Sequence, residues 1–193
     1  MFYRFAKVLV RFYLRVLFRI EVSGTVPQTG GCLICANHTS YYDPVVVAAF
    51  CGRQLTFMAK EELFSHPLFG RLIKSLGAFP VNRDANGFGA VKTALAILKQ
   101  QKATVIFPEG KRNRTGDKIA PKAGAVMIAH RAGVPIVPVG ICGSFKPFSK
   151  LKITYGAPIT YEGYGEKKLD GETMDLLADQ LMDRILMLAE EKA

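Results

Sequence analysis

From residue 20 onward, short continuous apolar runs alternate with stretches in which apolar side chains recur every three or four positions. The runs at 32–36, 55–58, 78–82, 104–107, 136–141 and 151–155, with another near 20–23, predict strands. Helical periodicity covers 44–51, 67–76, 89–101 and 122–132, with Gly77 and Gly133 placed to stop two of these helices. A last amphipathic helix over 172–190 would bury Met174, Leu177, Leu181, Ile185 and Leu188 and turn Glu172, Asp175, Asp179 and Asp183 to solvent. Alternation at this spacing predicts an α/β fold: a single domain with a largely parallel or mixed central sheet flanked by helices. At 193 residues the chain is long enough to bury roughly 70% of its unfolded surface.

Residues 1–20 follow a different pattern. They hold five cations and no acid, and every other position is apolar or aromatic. At about 100° per residue, Arg4, Lys7, Arg11, Arg15 and Arg19 fall within an arc of about 120°, which leaves one basic stripe and one broad apolar face. No apolar run here exceeds three residues, too short for a spanning helix or for the core of a signal peptide. The pattern predicts an amphipathic membrane-surface helix over 1–20, with the arginines meeting lipid phosphates and the α/β domain occupying 21–193. A helix packed on the protein's own core with its cations outward is the competing reading.

Composition sharpens this picture. With 49% hydrophobic and 22% charged residues, disorder is excluded. The net charge of +10 is uneven: residues 1–152 hold 22 cations and 7 acids, residues 153–193 hold 4 cations and 9 acids. A basic excess over the first 152 residues calls for anionic partners, either lipid headgroups or phosphorylated substrates. Nucleic acid is not expected, because neither an aromatic-basic RNA signature nor a helix-turn-helix or finger pattern is present. Four cysteines in a chain of this length, three within apolar runs, read as reduced core thiols of a cytosolic protein. Cys32 and Cys35 would point to opposite faces of one strand, and His66 and His130 lack companions at ligand spacing, so no metal is expected.

The chemistry-bearing residues follow strand ends, where open α/β sheets bind ligands. The first cluster is Asn37-His38-Thr39-Ser40-Tyr41-Tyr42-Asp43-Pro44. On a continuous helix His38 and Asp43 would diverge by about 140°, but a strand end followed by a turn and a helix entered at Pro44 lets them meet. Asp43 would then fix the imidazole tautomer and make the free ring nitrogen a general base. A helix cap at Asp43 beside a loop histidine is the alternative. Tyr41 and Tyr42 suit either aromatic packing or a lipid entrance. The second cluster, Phe107-Pro108-Glu109-Gly110-Lys111-Arg112-Asn113-Arg114, suits phosphate recognition: Arg offers paired donors, Gly110 lets backbone N–H groups approach an anion, and Glu109 can bond hydroxyls or orient an arginine. Gly77-Ala78-Phe79-Pro80-Val81-Asn82-Arg83 adds an arginine to the same presumed edge, although solvated basic loops would give the same pattern.

In order along the chain, these motifs resemble the 1-acyl-sn-glycerol-3-phosphate acyltransferase (lysophosphatidic acid acyltransferase) family of glycerolipid acyltransferases. The family's N-H-x-x-x-x-D appears at 37–43, its arginine block at 77–83, F-P-E-G-x-R at 107–112 and V-P-I-V-P-V at 134–139, with Phe57-Met58-Ala59-Lys60 between the first two. Lys111-Arg112-Asn113 stands where members often read Thr-Arg-Ser. The resemblance implies a glycerol-3-phosphate acyltransferase-like fold, with His38 as general base, Asp43 as its orienter, and Arg83, Glu109, Gly110 and Arg112 binding the acceptor's glycerol phosphate. It implies acyl transfer from a thioester of coenzyme A or acyl carrier protein, with no further cofactor, to lysophosphatidic acid, giving phosphatidic acid in phospholipid biosynthesis at the cytoplasmic face of a membrane. Glycerol 3-phosphate or another lysolipid is the alternative acceptor, and a non-catalytic membrane- or nucleic-acid-binding module the alternative outside enzymes.

Overall fold

A computed structural model describes residues 2–81, 88–113, 119–161 and 169–190. In chain order the elements are α1 (Phe2–Leu17), β1 (Arg19–Ser23), β2 (Cys32–Ala36), α2 (Asp43–Phe50), β3 (Leu55–Lys60), a 3₁₀ turn (Glu61–Phe64), α3 (Pro67–Ser75), β4 (Ala78–Val81), α4 (Phe88–Lys99), β5 (Ala103–Ile106), α5 (Gly124–Ala132), β6 (Ile136–Gly143), β7 (Lys150–Tyr155) and α6 (Gly171–Glu190). The described residues form a seven-stranded sheet in the order β1-β7-β6-β2-β5-β3-β4. Every neighbouring pair is parallel except β6 and β7, which are joined as a hairpin. The predicted α/β architecture is therefore present, with one antiparallel step in an otherwise parallel sheet.

The strands in the middle of the sheet are buried on both sides, as their unbroken apolar runs require. All five residues of β2 are buried. Cys32, Ile34 and Ala36 face one core, which they share with Leu14 and Phe18 and with Val46, Val47 and Phe50 of α2. Leu33 and Cys35 face the other, built from α4, α5 and α6. Cys32 and Cys35 thus do lie on opposite faces, and all four cysteines are free. Burial pushes the thiols of Cys32, Cys35 and Cys51 up from their ordinary range, which keeps them neutral. The 134–139 block is structural in its placement: Val137 and Val139 are fully buried in β6, which pairs with the central strand β2.

α6 buries Leu177, Ala178, Leu181, Met182 and Ile185, while Met174 and Leu188 remain partly exposed. It crosses β6 closely, since a Cβ on Gly140 would lie 2.3 Å from the amide nitrogen of Ala189. Its acidic residues Glu172, Asp175, Asp179 and Asp183 are exposed. The acidic helix and the basic α1 therefore cover opposite faces of the sheet.

α1 departs from expectation in two ways. The helix stops at Leu17 rather than at residue 20: buried Phe18 draws the chain into the core, and Arg19 and Ile20 pair in β1 with Lys150 and Leu151. Arg19 consequently leaves the predicted stripe. The remaining stripe is also not simply turned outward. Lys7 donates to the carbonyls of Cys51 and Arg53, and Arg11 donates to the carbonyl of Ala49. Arg11 and Arg15 additionally lie 5.7 and 5.6 Å from the centre of the Phe50 ring. These cations neutralise the negative end of α2, where helix carbonyls lack intrahelical donors. The face left exposed is apolar: Phe2, Phe5, Val8, Leu9, Phe12, Tyr13 and Val16 are all more than half in solvent.

Candidate active site

The parallel strands β2 and β5 are neighbours and end at the same edge of the sheet, so the peptides that leave them meet. Asn37 closes β2 by bonding across to β6: its Nδ2 donates to the carbonyl of Ile141 at 2.9 Å and its Oδ1 accepts from the Ile141 N–H at 2.8 Å. The chain then turns through Thr39 to Tyr42 into α2, which begins at Asp43 with Pro44 second. This turn folds Asp43 back onto His38, with Nδ1 and Oδ2 2.9 Å apart. The same oxygen accepts from the N–H groups of Thr39 and Ser40 at 2.6 and 2.7 Å. Orienting the histidine and organising the helix entry are thus one job, done by a fully buried carboxylate at the positive end of α2. With Nδ1–H donating to Asp43, Nε2 carries the free lone pair. The imidazole side chain is 18% exposed, within reach of a substrate.

The loop after β5 grips the same residue. Glu109 Oε1 accepts from the backbone N–H of His38 at 2.9 Å, and the backbone N–H of Asn113 donates to the His38 carbonyl at 2.6 Å. Phe107 stacks on the imidazole, with centroids 4.1 Å apart and an angle of 23° between planes. The loop after β5 thus holds the His38 peptide and stacks on its ring, while Asp43 bonds the ring from the other loop. Glu109 is buried, 3% exposed, and burial pushes its carboxyl above the ordinary value, partly offset by the His38 N–H. It therefore supports the base rather than lying open on the loop surface.

That buried carboxylate has a measurable consequence. A raised pKa means that the folded protein holds the proton more tightly than the unfolded chain, so the penalty is absent at low pH and grows as pH rises through the folded value. Glu109→Gln keeps a carbonyl acceptor for His38 without the charge. Its melting temperature is expected to match or exceed that of the wild type at neutral pH, and the difference should shrink on acidification below about pH 4. A variant that is less stable at pH 7 than at pH 4, relative to wild type, would contradict the assignment.

Gly110 makes the turn possible. Its φ of +69° favours glycine, and a Cβ there would press on the side chain of Lys122, 2.9 Å from Cε. The Lys122 N–H donates to the carbonyl of Pro108 at 2.9 Å, which brings a further cation to the loop. Arg112 is half-buried, with its guanidinium 3.4 Å above the Tyr41 ring centre and NH2 2.7 Å from the Tyr41 hydroxyl. Tyr42 turns the other way, stacked on Phe145 and edge-on to Phe18. Of the residues expected at the site, His38, Asp43, Glu109, Gly110 and Arg112 come together, while Arg83 lies outside the described residues. Sequence reasoning did not find Lys122 or the parts played by Phe107 and Asn113; a lysine at a helix entry, an aromatic ring and a backbone donor carry no motif of their own.

Behind α2 an apolar cavity of about 220 Å³ opens between α1, α2, α3 and the strands. Pro44 and Val45, directly after Asp43, form part of its wall, with Ala48, Ala6, Val10 and Phe57 further along. Among the described residues, no cluster of His, Cys, Asp and Glu is arranged to hold a metal.

The acyltransferase family model, described as Acyltransferase, matches residues 19–142. Two curated 1-acyl-sn-glycerol-3-phosphate acyltransferases are similar: that of Bacillus subtilis is 33% identical over 141 residues, 69% of each chain. That of Streptococcus pneumoniae is 31% identical over 171 residues, 85% of this chain and 62% of the relative, so the match spans less than two thirds of that protein. The crystal structure of the 1-acyl-sn-glycerophosphate acyltransferase from Thermotoga maritima shares the fold, with a TM-score of 0.75, 22% identity and coverage of 99% of this chain and 83% of that one.

Proposed function

Because the chain belongs to the acyltransferase family, we propose that it acylates the free hydroxyl of 1-acyl-sn-glycerol 3-phosphate, giving phosphatidic acid. The observation that carries this reading is His38 bonded through Nδ1 to a buried Asp43. In the proposed reaction Nε2 of His38 takes the proton of the acceptor hydroxyl as its oxygen attacks the thioester carbonyl. The tetrahedral oxyanion collapses with cleavage of the C–S bond, and the imidazolium returns the proton to the departing thiolate. Asp43 stabilises the imidazolium in between. The thiol carrier is coenzyme A or acyl carrier protein, both co-substrates. Arg112, beside Gly110 and Lys122, reads the acceptor phosphate, with Arg83 assigned to the same headgroup. The apolar cavity beside Asp43 suits an alkyl chain.

The reading is tested by incubating the purified protein with each thioester donor and with 1-acyl-sn-glycerol 3-phosphate or glycerol 3-phosphate, then identifying the lipids formed. Phosphatidic acid from the first acceptor is the expected product. Lysophosphatidic acid formed from glycerol 3-phosphate alone would replace the acceptor, and no acyl transfer with either would remove the reading.

A peripheral position at the cytoplasmic face of a membrane completes the proposal. Among the described residues no helix is long and apolar enough to cross a membrane. The support is the outward face of α1, whose Phe5, Phe12 and Val16 are over half exposed while Lys7 and Arg11 are bonded to carbonyls at the end of α2 and just beyond it. Such a helix attaches by apolar burial more than by charge. Phe5→Ser with Phe12→Ser should weaken co-sedimentation with vesicles by at least about tenfold. Wild-type binding should persist on zwitterionic vesicles in high salt, where a purely electrostatic contact would be lost.

A further inference from the structure

The reaction proposed above leaves Tyr41 without a part, although it stands between His38 and Asp43 and is 73% exposed. An exposed tyrosine on a solvent-facing turn needs no explanation by itself. Its contacts do. The Arg112 guanidinium carbon lies 3.4 Å from the centre of the Tyr41 ring, and NH2 donates to the Tyr41 hydroxyl at 2.7 Å. A flexible arginine at the lip of a loop would otherwise sample many rotamers, and fixing one in a single orientation is unfavourable entropically. A guanidinium carries five N–H donors, of which the Tyr41 hydroxyl takes one.

We propose that Tyr41 is the positioning residue for Arg112, holding its guanidinium over the turn between His38 and Asp43 so that the acceptor's phosphate is read at a fixed distance from the base. The inference rests on the assignment of Arg112 to the acceptor phosphate. Tyr41 is tied to the catalytic pair by its own backbone: His38 lies three residues before it and Asp43, which accepts from the neighbouring Ser40 N–H, two residues after it. The phosphate reader therefore takes its position from the same turn that orients the base. Loss of Tyr41 should affect acceptors that bear a phosphate and spare the donor.

The test compares Tyr41→Phe, Tyr41→Ala, Arg112→Ala and Tyr41→Ala with Arg112→Ala, measuring kcat and both KM values with 1-acyl-sn-glycerol 3-phosphate and with the corresponding 1-acylglycerol, which lacks the phosphate. Because Tyr41 is exposed, its variants are expected to melt with the wild type. Tyr41→Phe should raise the phosphorylated acceptor's KM about threefold and Tyr41→Ala about tenfold, with kcat and donor KM unchanged. In the Arg112→Ala background the Tyr41 substitution should add nothing. Tyr41 effects that multiply with those of Arg112→Ala, or an acceptor KM that moves only in Arg112→Ala, would overturn the positioning role and leave the phosphate assignment standing. An unchanged acceptor KM in Arg112→Ala would overturn both.

Discussion

Replacing His38 with alanine is expected to lower kcat by about 10³-fold, within the range associated with loss of a general base, while both KM values stay within a few-fold of wild type. The fold should survive. The His38 side chain contacts Asp43 and Phe107 near the surface, and its removal still leaves the Asp43 carboxylate with the N–H groups of Thr39 and Ser40. The backbone bonds to Glu109 and Asn113 do not depend on the side chain. A thermal melt close to wild type with turnover gone would separate chemistry from folding. Turnover near normal in a folded variant would sink the assignment of His38 as base.

Asp43→Asn is expected to lower kcat by a comparable factor, about 10²- to 10³-fold, by a different route. Asparagine can still accept from Thr39 and Ser40 through its carbonyl oxygen. Its amide then turns an N–H toward Nδ1, so the imidazole carries its proton on Nε2 and presents no lone pair to the acceptor. Charge is also lost from the start of α2, where it faces the helix N-terminus and two backbone donors. Together these losses should destabilise the protein by roughly 1–3 kcal/mol. Two readouts should therefore move, turnover by orders of magnitude and the melting temperature by several degrees. Combining the substitution with His38→Ala should add little further loss of rate, since the two residues act as a unit. Full activity in the asparagine variant would assign Asp43 to the helix entry alone.

Several features of the fold and site were open to reading from residue types. β2 runs over the predicted 32–36 because an unbroken apolar run buried on both faces has few other structures available. The meeting of His38 and Asp43 was accessible because a proline early in a helix and an apolar strand fix both ends of a four-residue gap. The outward direction of α1 was not. Its pattern has a basic side and an apolar side, and which one meets the domain depends on the carbonyls at the end of α2, which no side-chain periodicity reports. The support given to His38 by Glu109 and Asn113 was hidden for the same reason: its partners are peptide groups, and a peptide N–H or carbonyl has no residue letter. Glu109, read from the sequence as bonding hydroxyls or orienting an arginine, also accepts the His38 N–H through Oε1.

The peptide of His38 is tied to Glu109 and Asn113, the first of these 71 positions further along the chain. Joining segments that far apart carries an entropic penalty that grows only logarithmically with separation, but it must be met before the contact yields any gain. During folding, then, the backbone bonds that steady the base form only after β5 has seated beside β2. A fragment ending before residue 107 would keep all seven residues of the 37–43 motif and lack both partners that steady the histidine's backbone.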